Sequence, residues 1–157
     1  WDRLAIYWHN FICRFIMPGK GAVIIVEDDA DDEAIFKDIL KELNIPNRVI
    51  WFGSAKDAFN YLKETIEQPF IIFSDVNLPG ENGIEFKRRI DNDKGLREKS
   101  IPFVIYSTSA DRRIVNEAYI QLTVQGFFKK GNSYQEIKNH VRIIFEYWQI
   151  CKHPNNW

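Results

Sequence analysis

The sequence predicts an α/β domain, a doubly wound parallel sheet of five strands covered by helices on both faces. Three observations predict it. Five short apolar runs, AVIIVE, RVIWF, FIIFS, IPFVIYS and GFFKK, recur along the chain; they are near-continuous rather than alternating, the pattern of strands buried on both faces. Each run is followed by a segment with apolar residues at helical spacing, and strand–helix alternation implies parallel pairing. The chain has 157 residues, a length that fits one domain burying roughly 70% of its extended-state surface.

Residues 22–27 form the first strand, and residues 31–43 a helix with Ala34, Ile35, Ile39, Leu40 and Leu43 on one face. Residues 48–52 form the second strand, and Ser54 starts a helix carrying Ala58, Phe59, Leu62 and Ile66. The third strand, residues 70–74, runs into Asp75-Val76-Asn77-Leu78-Pro79-Gly80, and a third helix extends from Gly83 to about Asp91. Residues 101–107 give the fourth strand and 111–122 the fourth helix. Residues 126–130 give the fifth strand, and residues 134–150 the last helix, with Ile137, Val141, Ile144, Phe145 and Trp148 on its inner face. Right-handed crossovers then select a flavodoxin-like (βα)5 topology, strand order 2-1-3-4-5.

Composition excludes other classes. With 21 basic against 22 acidic side chains, the net charge of −1 argues against a dominant nucleic-acid surface. Cys13 and Cys151 cannot build a disulfide framework, and no Cys/His spacing resembles a zinc site. Residues 1–16 are apolar-rich, with Leu4, Trp8, Phe11 and Phe15 at helical spacing. Asp2, Arg3, His9, Asn10 and Arg14 interrupt them, so the stretch is too short and polar to span a bilayer and lacks the features of a signal peptide. The only Met, Met17, opens Met17-Pro18-Gly19-Lys20-Gly21, which reads as a natural start. The expectation is an upstream extension over 1–16 and one domain over 17–157 with its core at about 21–150 and no output domain; the alternative for 1–16 is an amphipathic helix docking on a partner.

The chemistry falls at the carboxyl ends of the strands, where ligands bind in such folds. Glu27, Asp28 and Asp29 follow the first strand, Asp75 the third, Ser107 and Thr108 close the fourth, and Lys130 ends the fifth. Converging carboxylates repel one another unless a cation neutralises them. All-oxygen ligands without His or Cys point to Mg²⁺. A lysine and a hydroxyl opposite that cation suit a phosphoryl group, and a carboxylate can itself be the nucleophile. Each residue alone has a structural role available: Asp31 or Asp32 as a helix N-cap, Asp75 in a turn, Ser107 as a cap, Lys130 paired with a surface acid. Their joint occurrence at successive strand ends favours a site.

VIIVEDD (residues 23–29), SDVNLPGENGIEF (74–86), IPFVIYSTS (101–109) and GFFKK (126–130) together resemble the receiver domain of two-component response regulators, over roughly residues 21–150. The closing EYWQIC and the STS turn resemble stand-alone receivers associated with phytochrome-type and other hybrid sensor kinases. The resemblance implies a signalling phosphoacceptor, catalysing only its own phosphorylation and dephosphorylation. It makes Asp75 the phosphoacceptor and Asp28 a direct Mg²⁺ ligand, with Glu27 acting largely through water and the Asn77 backbone carbonyl supplying another ligand; Asp29 lies one residue beyond the usual pair. It makes Ser107 the switch hydroxyl, Lys130 the ion-pair partner of Asp75, and Phe127 the aromatic residue that turns inward with Ser107; Lys129 comes one place early and points across the sheet. It implies a cytoplasmic location and, as partners, a sensor histidine kinase or phosphotransfer protein and a downstream protein. A homodimer is a further option, for which Arg112, Arg113 and Tyr119 are candidates beside a role as solvated helix surface. Neither nucleic acid nor membrane insertion is implied. Two residues depart from the family pattern: Ser107 stands for the usual threonine, and Gly131 replaces a proline whose peptide bond is cis, so a trans or a strained bond is expected there. The alternatives are a phosphorylation-independent binding module, a haloacid-dehalogenase-like phosphatase, whose Asp nucleophile would follow the first strand, and an FMN-binding flavodoxin, whose phosphate this acidic loop would repel.

Overall fold

A computed structural model describes residues 21–154. The extension expected over residues 1–16 and the start at Met17 lie outside the described residues. The strands are β1 Val23–Val26, β2 Val49–Phe52, β3 Ile71–Ser74, β4 Phe103–Ser107 and β5 Gly126–Lys129. The helices are α1 Ala30–Glu42, α2 Ala55–Glu64, α3 Gly83–Asn92, α4 Lys94–Glu98, α5 Arg112–Gln121 and α6 Tyr134–Ile150. All strand pairs are parallel, in the order β2-β1-β3-β4-β5. β1, β3 and β4 are buried along their whole length, whereas the edge strand β2 is half-buried, which is why their sequences read as unbroken apolar runs.

Alternation along each strand divides the core into two layers. Ile24, Val26, Ile72, Phe103 and Ile105 pack beneath α2, α3 and α5 with Leu62, Phe86 and Ala118. Val23, Ile25, Ile71, Phe73, Val104 and Tyr106 pack beneath α1 and α6 with Phe36, Ile39, Val141, Phe145 and Trp148. Burying each large side chain of these layers stabilises the fold by roughly 1.5–3 kcal/mol, and the parallel register sets all five strand ends along one edge.

The expected strands are each one or two residues longer than the observed ones. Two readings need correction. The N-cap of α1 is Asp29, whose side chain accepts from the Asp31 backbone N–H at 2.9 Å, and neither Asp31 nor Asp32 fills that place. Between α3 and β4 the chain adds α4, which the sequence does not announce because five residues are too few to show a period. Asp93 both ends α3 and caps α4, accepting from Leu96 N–H at 3.0 Å, and Leu96 is buried. Among the described residues no peptide bond is cis, so the bond into Gly131 is trans. No described helix is long and apolar enough to cross a membrane.

Candidate functional site

Each functional side chain stands where a strand stops and its backbone enters a loop. Hydrogen bonds from Glu27 N–H to Phe52 O at 3.0 Å and from Asp75 N–H to Val26 O at 3.0 Å extend the ladder one step beyond β1 and β3. They bring two carboxylates to the same level. Lys130 follows β5 directly, its N–H donating to Ser107 O at 2.9 Å. Gly83 lets α3 begin against this edge: a Cβ there would lie 2.0 Å from the Asp75 carbonyl oxygen, so any side chain would push the Asp75 backbone aside.

Asp75 is 7% exposed, and three groups engage it. The Ser107 hydroxyl donates to Oδ1, the Asn77 N–H donates to the same oxygen at 3.0 Å, and the Lys130 ammonium lies 3.0 Å from Oδ2. Burial raises the pKa of Asp75, but these three donors outweigh it and hold the carboxyl below its ordinary value. Ser107 is fully buried and its Oγ accepts from Ser109 N–H at 3.2 Å, while Asn77 Nδ2 donates to Ser109 Oγ at 2.7 Å. The loops after β3 and β4 are thus tied together around the Asp75 carboxylate.

Lys130 is the hub. Its ammonium also bonds Glu27 and, at 2.6 Å, Asp32 Oδ2. Burial alone would lower its pKa, but the three carboxylates raise it above the ordinary lysine value. Glu27, 5% exposed, is pushed up to about 7, first by burial and further by the nearby Asp75 charge, against the pull of Lys130. Three acids share one ammonium, and Glu27 is the one whose carboxyl burial lifts above its ordinary value.

The sequence-predicted residues Glu27, Asp28, Asp29, Asp75, Asn77, Thr108 and Lys130 line one open cleft. Asp28 and Asp29 are exposed at its mouth, Asp29 occupied as the α1 cap. Lys129 is exposed. Phe127 is half-buried against the α2/α3/α5 layer, its N–H donating to Tyr119 Oη at 2.9 Å. Tyr119, an exposed helix residue, is therefore tied to β5. Sequence reasoning missed Asp32 as a site residue; its signal was the spacing, four residues after Asp28 and three after the cap, which turns it back toward the strand ends.

Among the described residues no three acidic, His or Cys side chains are gathered as a ready cation cage; the carboxylates close on Lys130 instead. The donor set nevertheless fits Mg²⁺. Glu27, Asp28, Asp75 and Asn77 offer oxygen alone around an open cleft, and a divalent cation there would favour the ionised form of Glu27 that burial, and further the Asp75 charge, disfavour.

The Glu27 shift has a measurable sign. A carboxyl whose pKa is higher folded than unfolded binds more protons in the folded state, so its contribution falls as pH rises from about 4.5 through 7. His153, buried and held below its ordinary value, acts oppositely. Glu27→Gln isolates the effect. In metal-free buffer the wild type is expected to lose up to about 3 kcal/mol relative to Glu27→Gln between pH 5 and 8. Parallel stability–pH curves from urea melts would overturn this assignment.

A family model described as the response regulator receiver domain matches residues 23–142. The chain is 27% identical over 131 residues to the response regulator Rcp1 of Synechocystis, covering 80% of this chain and 87% of that protein. It is 29% identical over 125 residues to the chemotaxis protein CheY of Pseudomonas aeruginosa, covering 79% and 95%. Among solved structures, the phosphorylated cyanobacterial phytochrome response regulator RcpA superposes with a TM-score of 0.77 at 26% identity, over 85% of this chain and 98% of that one. The Mn²⁺-bound form of Rcp1 superposes with a TM-score of 0.75 at 23% identity, over 86% and 99%, a likeness of fold.

Proposed function

Because the chain belongs to the response regulator receiver family of two-component signalling, we propose that Asp75 accepts a phosphoryl group from a sensor kinase phosphohistidine and that Ser107 and Phe127 transmit the change. The observation that carries this reading is the environment of Asp75: one carboxylate, held ionised in a buried position, with a hydroxyl, an amide and an ammonium already aimed at it. Receivers are signalling phosphoacceptors that pair with sensor histidine kinases. Support comes from two relatives: the RcpA structure is that of a phosphorylated protein, and an Rcp1 structure holds Mn²⁺.

Asp28 and Asp75 would hold Mg²⁺ directly, with Glu27 and the Asn77 carbonyl completing the set, and the metal would supply positive charge for the phosphoryl oxygens. Asp75 attacks phosphorus in line while the donor imidazole leaves. The Lys130 ammonium, already 3.0 Å from Oδ2, neutralises charge on the transferred group. Ser107 gives up its hydrogen bond to Oδ1 and follows a phosphoryl oxygen. The product adds roughly −1.5 to −2 of charge in a cleft that already holds an acidic surplus, and this biases the segment of β4, α5 and β5 that carries Ser107, Tyr119 and Phe127. Such coupling changes partner affinity by about 5- to 150-fold.

Acetyl phosphate with Mg²⁺ is expected to label the protein with acid-labile, hydroxylamine-sensitive phosphate, and chelation is expected to abolish labelling. Full labelling in excess chelator would remove the metal from the mechanism.

A further inference from the structure

Ile84 and Ile90 are buried along α3, and the position midway between them in that row is a lysine. Lys87 is 3% exposed, and its ammonium lies 5.3 Å from the centroid of the Phe103 ring. It donates to Asp91 Oδ1 at 2.7 Å, one turn along the same helix, and to Thr123 Oγ1 at 2.8 Å in the loop between α5 and β5. The Thr123 hydroxyl donates in turn to Asp91 Oδ1 at 2.7 Å, and the Thr123 backbone N–H to Asp91 Oδ2 at 3.2 Å. Burial holds the Lys87 ammonium below the ordinary lysine pKa, against the pull of Asp91, so the charge is kept there at a cost. Apolar side chains of similar volume would pack α3 to the sheet about as well. They could not grip Thr123.

The grip matters because of where Thr123 sits. Two residues on, Gln125 N–H donates to Phe103 O at 2.9 Å, and the Gln125 side-chain oxygen accepts from Phe103 N–H. The loop that closes α5 is therefore bound to both α3 and β4. At its other end α3 lies against the site, with Gly83 packed on the Asp75 carbonyl. α5 itself buries a single residue, Ala118, whereas α2 buries Ala55, Ala58 and Leu62, and α3 buries Ile84, Phe86, Lys87 and Ile90 as well as Gly83. A helix with so few buried contacts is the element that a small free-energy change can displace, and this one is held at its C-terminal end.

We propose that Lys87, Asp91 and Thr123 form the pivot of the switch segment: they pin the loop after α5 to α3, so that charge arriving at Asp75 swings α5 about its C-terminal end while residues 123–125 stay in place. This rests on transmission through Ser107 and Phe127 as read above. Lys87 touches none of the reacting atoms; it is a positioning residue that acts through Thr123.

The test is amide exchange in the full chain, free and with beryllofluoride and Mg²⁺ as a stable stand-in for the phosphoryl group. In the wild type, beryllofluoride is expected to change exchange along α5 while the amides at 123 and 125 keep their rates. Lys87→Met combined with Asp91→Leu replaces the ion pair by apolar side chains of similar size and is expected to stay folded. In that variant the amides at 123 and 125 are expected to respond to beryllofluoride as well, by about 2- to 10-fold, the worth of one hydrogen bond. A merely structural role would speed their exchange equally in the free and the bound protein. Thr123→Val, which keeps the shape and loses the hydroxyl, is a second variant in which the same response is expected. Amides at 123 and 125 that stay unresponsive in either folded variant, or that respond as strongly as α5 in the wild type, would overturn the pivot and leave the transmission standing. A change at Asn77 N–H with none on α5 would bring down the transmission, and the pivot with it. No change at Asn77 would bring down the assignment of Asp75 and everything resting on it.

Discussion

Asp75→Asn is expected to lose at least about 100-fold in acid-labile phosphate incorporation while remaining folded. Asparagine has the shape of aspartate and keeps an oxygen for the Ser107 hydroxyl and the Asn77 N–H. Its amide nitrogen is not a nucleophile toward phosphorus at neutral pH. The substitution also removes one of the three carboxylates that share Lys130, so Glu27 is left with the ammonium and less repulsion. Stability should therefore change little, and a loss of labelling would report the chemistry rather than unfolding. The measurement is labelling by acetyl phosphate with Mg²⁺, with the urea midpoint as a control. Full labelling at an unchanged midpoint would defeat the assignment of Asp75.

Lys130→Met is the second large effect, and its sign depends on the metal. Without Mg²⁺ the variant leaves Glu27, Asp32 and Asp75 converging with no counter-charge, and removing one partner of a buried ionic cluster costs about 3–5 kcal/mol. For a chain of this size that is roughly 6–20 °C in melting temperature. Methionine nearly matches the lysine stem, so packing contributes little to the loss. A divalent cation binding the same acids should stabilise the variant more than the wild type, since in the wild type it competes with an ammonium already in place. Thermal melts of both proteins at neutral pH, with EDTA or with millimolar Mg²⁺, read this directly. An equal Mg²⁺ shift in the two would mean that cation and lysine do not share ligands.

Much of this architecture was legible in the residues themselves. β1, β3 and β4 are unbroken apolar runs because both of their faces are covered, and α6 was bounded at residues 134–150 by its period. The site was legible for the same reason: parallel strands end on one edge, so residues following successive strands must meet there. α4 was not legible, because a five-residue turn has no period. The role of Asp32 was not either, since an acid in a first helical turn serves the helix dipole equally well wherever its side chain points.

What the sequence by itself determined, then, was the order of the strands and of the helices long enough to show a period, and the identity of the groups that follow the strands into the cleft. Both follow from local periodicity and the handedness of crossovers. Only the tertiary structure decided how charge is distributed among those groups. Lys130 is 103 residues from Glu27 and 55 from Asp75 along the chain, and no local pattern shows that one ammonium serves three acids or that burial lifts the Glu27 carboxyl above its ordinary value. Burial and distance set these relations, and both come into being when the sheet assembles.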